Sequence, residues 1–135
     1  DVISSNIERV DTTGQGFIGS AMSESSGIFT FPATGIYLVS MGGRGDTPSS
    51  NDNVSMTIEV TTNNSSYNSA ASCSDSATSG SNKNFGMYCQ TLIDVTDVSN
   101  VKVRFQTGSL ASGNFFSGST DTNLTYMTFI RLGDT

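Results

Sequence analysis

The chain has 135 residues, a mass of 14.2 kDa and a net charge of −6, which is the size of one domain built on one core. Its acidic balance, with pI near 4.2 and six basic residues scattered singly, offers no electrostatic footprint for DNA or RNA. No stretch reaches the roughly 18 apolar residues of a membrane span, and the opening DVISSNIERV lacks the basic and apolar regions of a signal peptide, so the chain reads as soluble. Ser, Thr, Asn and Gly supply about half of the residues, far above ordinary usage. The clusters of Val, Ile, Leu, Met, Phe and Tyr nevertheless argue for a folded β domain rather than disorder. The start at Asp1 fits a processed product, an excised domain or a longer chain.

Val2 to Val10 reads as an extended segment and Asp11 to Gly16 as a turn, because Gly and Asp supply backbone angles that other residues avoid. From Gly27 to Phe31, Ile28 and Thr30 alternate with Phe29 and Phe31, which predicts a half-buried strand with its phenylalanines inward. Pro32 to Gly35 breaks the ladder, since proline lacks an N–H donor, and Ile36 to Met41 resumes as an adjacent strand across a tight corner. Gly42 to Asn53 reads as a polar loop. The clearest strand is Val54 to Val60, with Val54, Met56, Ile58 and Val60 on one face and Ser55, Thr57 and Glu59 on the other.

Thr61 to Asn84 is almost wholly Ser, Asn, Thr, Ala and Gly. It holds too little apolar surface for a core element and is expected to form one long exposed loop, with at most a short strand near Tyr67. Strands return at Phe85 to Val95, at Val101 to Phe105 with the basic side toward water, and at Leu124 to Leu132; Leu110 to Ser119 carries the Phe115-Phe116 pair. No segment has a capped helical period. The pattern predicts one all-β, antiparallel jelly-roll sandwich over residues 1–135, with an N-terminal segment 1–16 and a polar loop 61–84.

Without histidine there is no Ser-His-Asp or Cys-His arrangement, and two cysteines alone cannot supply a zinc site. Cys89 lies in an apolar run and reads as a buried thiol; Cys73 sits in a Ser-rich stretch. A bridge between them would close a loop of about 15 residues and add roughly 3 kcal/mol in an oxidising compartment. The twelve acids are spread over turns and solvent faces, which gives no support to paired-carboxylate hydrolysis. Gly14 to Gly19 matches the dinucleotide fingerprint as a string but is followed by no helical pattern and reads as a Gly-rich turn.

Arg44-Gly45-Asp46 is the adhesion tripeptide in an expected loop, set against the simpler reading of a polar turn. Four Asn-x-Ser/Thr sites, at Asn53, Asn63, Asn64 and Asn123, are a chance harvest in so Asn- and Ser-rich a chain. Asp46, Asp52, Asp94 and Asp97 are weak candidate calcium ligands, with turn formation the favoured role. No cofactor is expected.

The run Gly27 to Val39 resembles the "F-x-x-P-x-x-G-x-Y-x-F" corner of the superfamily that joins the complement globular head to tumour necrosis factor. Phe31, Gly35 and Tyr37 match, and Pro32 comes earlier than in the pattern. Thr91 to Val95 with Val101 to Val103 is similar to its "L-x-L-x-x-G-D-x-V-x-V" segment, with Thr96-Asp97 replacing Gly-Asp, and Tyr126 to Leu132 is similar to its terminal strand, with Thr128 at a usual glycine. The resemblance implies a ten-strand jelly roll that packs as a homotrimer through aromatic sheet positions, with Tyr126 and Phe129 as candidate contacts, and that binds ligands without catalysis.

The Ser/Thr/Asn-rich style and the Arg131 to Thr135 ending are closest to phage and marine-microbe versions of this superfamily. The expectation is therefore a virion-surface structural protein, decorating a capsid or heading a fibre. Its partners would be a major capsid or fibre protein and a host-surface glycan or protein, reached through exposed loop residues Arg44, Asp46 and Tyr67. The alternatives are a secreted extracellular adhesin or recognition module and, behind it, a carbohydrate-active enzyme.

Overall fold

The computed structural model describes residues 1–135. Its nine strands are β1 (Ser23–Ser25), β2 (Ile28–Thr30), β3 (Gly35–Asp46), β4 (Asp52–Thr61), β5 (Asn68–Ala77), β6 (Asn84–Val95), β7 (Lys102–Thr107), β8 (Phe115–Phe116) and β9 (Thr125–Gly133). All pairings are antiparallel. One sheet has the order β1-β2-β7-β4-β5; the other places β3 between β6 and β9, with β8 continuing along the β9 side of β3.

Period-two alternation supplies the core. Val54, Met56 and Ile58 of β4, Val39 and Met41 of β3, and Val103 and Phe105 of β7 are fully buried between the sheets. Phe129 of β9 packs into the same layer, with ring centroids 5.3 Å from Phe29 and 5.8 Å from Phe105, while Phe31 lies 4.7 Å from Tyr37. Tilted and edge-on rings at these separations add about 0.5–1.5 kcal/mol per pair beyond burial.

Four expectations change. Thr61 to Asn84 is not one loop: β5 fills its centre and pairs with β4 from Asp52↔Ala77 to Val60↔Asn68. On the row that pairs with Ile58, Met56, Val54 and Asp52, β5 carries Ala71, Cys73, Asp75 and Ala77, so it has no large apolar side chain. Gly42 to Asn53 is also mostly strand, since β3 runs on to Asp46 and β4 starts at Asp52. β2 and β3, read as adjacent, belong to opposite sheets, and the Pro32 to Gly35 corner carries the chain between them. Finally, there are nine strands and not ten, because the N-terminal segment adds only main-chain bonds at the end of β7, from Ile3 N–H to the Phe105 carbonyl and from Thr107 N–H to the Asp1 carbonyl, with a Val2↔Gln106 bridge.

Candidate functional site

The β6-β3-β9 sheet turns one face to the core and the other to solvent, and the solvent face mixes apolar and polar rows. The register places Leu92, Leu38 and Ile130 in one outward row, Gln90, Ser40 and Thr128 in the next, and Tyr88, Gly42 and Tyr126 in a third. Ile36 and Leu132 extend the face. Leu92 is 63% exposed, Leu132 58%, Tyr88 52% and Ile130 48%. Scattered exposed apolar residues are normal, but a contiguous set on one sheet marks a contact surface.

The centre of this face is low. Ser40 is buried, and a Cβ on Gly42 would stand 2.5 Å from the Tyr126 ring, so only glycine lets that ring lie across β3. Tyr88 flanks the opposite side and donates its phenol hydrogen to Gln90 Oε1 at 3.0 Å. The result is a trough between two tyrosines, separated from the leucine and isoleucine row by the polar row Gln90, Ser40 and Thr128.

Tyr126 therefore lies on the exposed face, whereas Phe129 does not. The two are three residues apart, an odd spacing that sends them to opposite sides of a strand, and Phe129 is spent on the phenylalanine cluster. The residues that complete the face, Tyr88, Leu92, Ile130 and Leu132, escaped the sequence reading. Their signal was present: β3, β6 and β9 carry apolar residues at consecutive positions, the pattern of a strand covered on both faces.

The loop candidates do not share a loop tip, although Arg44 is exposed. Arg44 and Asp46 lie within β3, not on a loop tip, because Gly45 between them is packed: a Cβ there would meet the Phe85 ring and the Phe115 carbonyl. Asp46 accepts from Ser117 Oγ at 2.9 Å and stands 3.9 Å from the Arg44 guanidinium. Tyr67 precedes β5 and is covered by Arg104, whose guanidinium carbon lies 4.1 Å from the ring centroid. Burial raises the Tyr67 pKa. Arg104 does not simply face water: its Nε donates to Glu59 Oε2 at 2.6 Å, and Gln106 Nε2 donates to the same oxygen at 2.7 Å.

Of the aspartates considered for calcium, Asp97 and Asp52 serve turns and loops. The Ser99 hydroxyl and N–H hold Asp97 below the usual carboxylate range, helped by Asn100, and Asn114 with the Ala111 N–H does the same for Asp52. No three His, Cys, Asp or Glu side chains gather where one ion would sit.

A cleft of about 1760 Å³ opens beside the β9 edge, between Ile3, Ile7 and Met22 on one wall and Phe116, Met127 and Phe129 on the other. Glu8 and Glu24 border it. Glu24 Oε1 is occupied by the Gly27 N–H at 2.6 Å, closing the β1–β2 turn.

Two facing antiparallel sheets in this order define a jelly roll of the tumour necrosis factor type. Among solved structures that match it is murine APRIL at pH 5.0, with a TM-score of 0.62 over 85% of this chain and 80% of that one, at 13% sequence identity. A likeness at that identity is one of fold. No family model matches the sequence, and no curated protein matches it either.

Proposed function

We propose that the chain is a non-enzymatic binding module that assembles as a homotrimer, each copy burying the outer face of its β6-β3-β9 sheet against its neighbours. The observation that carries this reading is the face itself: Tyr88, Leu92, Ile130 and Leu132 stand about half exposed around the low strip of Ser40 and Gly42. Covering it removes apolar area from water at roughly 25 cal/mol per Å², and its paired tyrosines are of the kind enriched at interface centres. The jelly-roll fold is compatible with this arrangement.

The assembly belongs at a virion surface, as a capsid decoration or a fibre head. The composition supports this: low charge and abundant Ser, Thr and Asn leave the remaining surface hydrogen-bonding and weakly adhesive. Glu24's structural hydrogen bond and the absence of histidine from the chain weigh against catalysis in the β9 cleft. A secreted recognition module is the second reading, favoured by the meeting of Cys73 and Cys89 between the two sheets at one side of the sandwich.

Light scattering on the purified protein tests the assembly, with electron microscopy of virus particles incubated with it. The expected mass is three times the 14.2 kDa protomer, with added density on the particles. A monomer at all concentrations overturns the trimer, and trimers that leave every particle bare favour the secreted module.

A further inference from the structure

Cys73 and Cys89 are far apart in role but not in space. β5 and β6 are the edge strands of opposite sheets and stack at the same side of the sandwich. Cys73 lies four residues before the end of β5 at Ala77, and Cys89 five residues into β6 from Asn84, so the connection between the strands brings them to similar height. Both point inward. Cys89 is buried in the main core cluster, and the half-exposed Cys73 packs against that cluster with Ala71. The Cys73 side chain lies within hydrogen-bonding reach of Cys89.

We propose that Cys73 and Cys89 form an intramolecular disulfide by exchange with a small-molecule disulfide such as oxidised glutathione, stapling the two sheets at one edge. Cys73 attacks first, being the reachable sulfur. Its thiolate displaces one glutathione thiolate as the glutathione S–S bond breaks, leaving a mixed disulfide on Cys73. The Cys89 sulfur then releases its proton, bonds to the Cys73 sulfur and expels the second glutathione thiolate. Two cysteines are oxidised, one oxidised glutathione is reduced to two thiols, and the two cysteine protons end on those thiols.

The two thiols also sense each other: burial pushes the Cys89 pKa up to about 12, and the charge and side-chain hydrogen bond of the neighbouring Cys73 push the same way. Cys89 is therefore mostly protonated at neutral pH, so its attack on the mixed disulfide is the slow step and speeds up as the pH rises. The inference stands apart from the trimer reading. It gives a domain that folds with free thiols and stiffens when its surroundings become oxidising.

The test treats the native protein with oxidised glutathione, quenches with acid and digests with trypsin without reduction. Lys83 lies between the two cysteines, so the bridge joins peptide 45–83 to peptide 84–102. The expected result is that linked pair, an intact protein lighter by two hydrogens that still runs as a single chain, and a Tm higher by roughly 10 °C. Cys73→Ser abolishes all three, while its far-ultraviolet circular dichroism shows that it folds. The proposal is overturned by a product that stops as glutathione on Cys73, by a link between two chains, by no reaction in the folded protein when both thiols react in guanidinium, or by a bridge that leaves the Tm unchanged.

Discussion

The outward faces of the two sheets follow the same alternation with opposite chemistry. On the β1-β2-β7-β4-β5 sheet the outward rows pair Thr57 with Ser72, Ser55 with Ser74 and Glu59 with Arg104, so hydroxyls and one ion pair meet water. On the β6-β3-β9 sheet the outward rows are Leu92, Leu38 and Ile130, then the polar Gln90, Ser40 and Thr128, then Tyr88, Gly42 and Tyr126, so large apolar side chains stand in two rows of three. Both sheets cover one core, so folding alone does not require the second face to be apolar. The difference is what supports the outer β6-β3-β9 face as the contact surface of the proposed assembly.

A charge on each face breaks this comparison most sharply. Leu92→Asp buries an unpaired carboxylate in the trimer and weakens association at least about a thousandfold, or about 4 kcal/mol, measured by sedimentation. Ser74→Asp, on the polar face, leaves association unchanged and stability within about 0.5 kcal/mol. If the two substitutions behave alike, the faces are equivalent and the contact lies elsewhere.

The next effect separates inward from outward on a single strand. Phe129→Ala removes a ring from the phenylalanine cluster and costs about 3 kcal/mol in denaturant unfolding of the protomer, whereas Tyr126→Ser acts mainly on the trimer–monomer equilibrium. On the polar sheet, Glu59→Ala leaves Arg104 and Gln106 without their shared acceptor and costs about 1–2 kcal/mol by urea titration.

The smallest effect is on acid stability. Asp52 and Asp97 are held below the usual value of 3.8 in the folded chain, so their stabilisation is present above that pH and is lost as the pH falls through their lower folded values. Thermal melts of Asp97→Asn between neutral pH and pH 3 therefore show a shallower acid-side loss than the parent.

Much of the core was legible because it is written in large residues at period two: Phe29 and Phe31, the β4 row, and Val101, Val103 and Phe105 all point where the alternation sends them. β5 was not, because its inward row is Ala71, Cys73, Asp75 and Ala77, and apolar periodicity vanishes where an edge strand carries no large apolar side chain. The second half of β3 was read as loop on the strength of its glycines, which are there to admit the Tyr126 and Phe85 rings. For the candidate site, Tyr126 was found through resemblance and the rest of the face was missed. Consecutive apolar residues such as Leu92-Ile93 and Phe129-Ile130 signal a strand, and only the register shows that they fall on opposite faces.

Hydroxyl-radical footprinting of the native protein tests the central claim most directly. Phe17 and Ile18, 65% and 74% exposed on the N-terminal segment, serve as the internal standard for open side chains. The outer-face reading predicts that Tyr88, Leu92, Ile130 and Leu132 are strongly protected relative to that pair at working concentration and become reactive on dilution to the monomer. Reaction of Tyr88 and Leu92 in step with Phe17 and Ile18 at every concentration would contradict it.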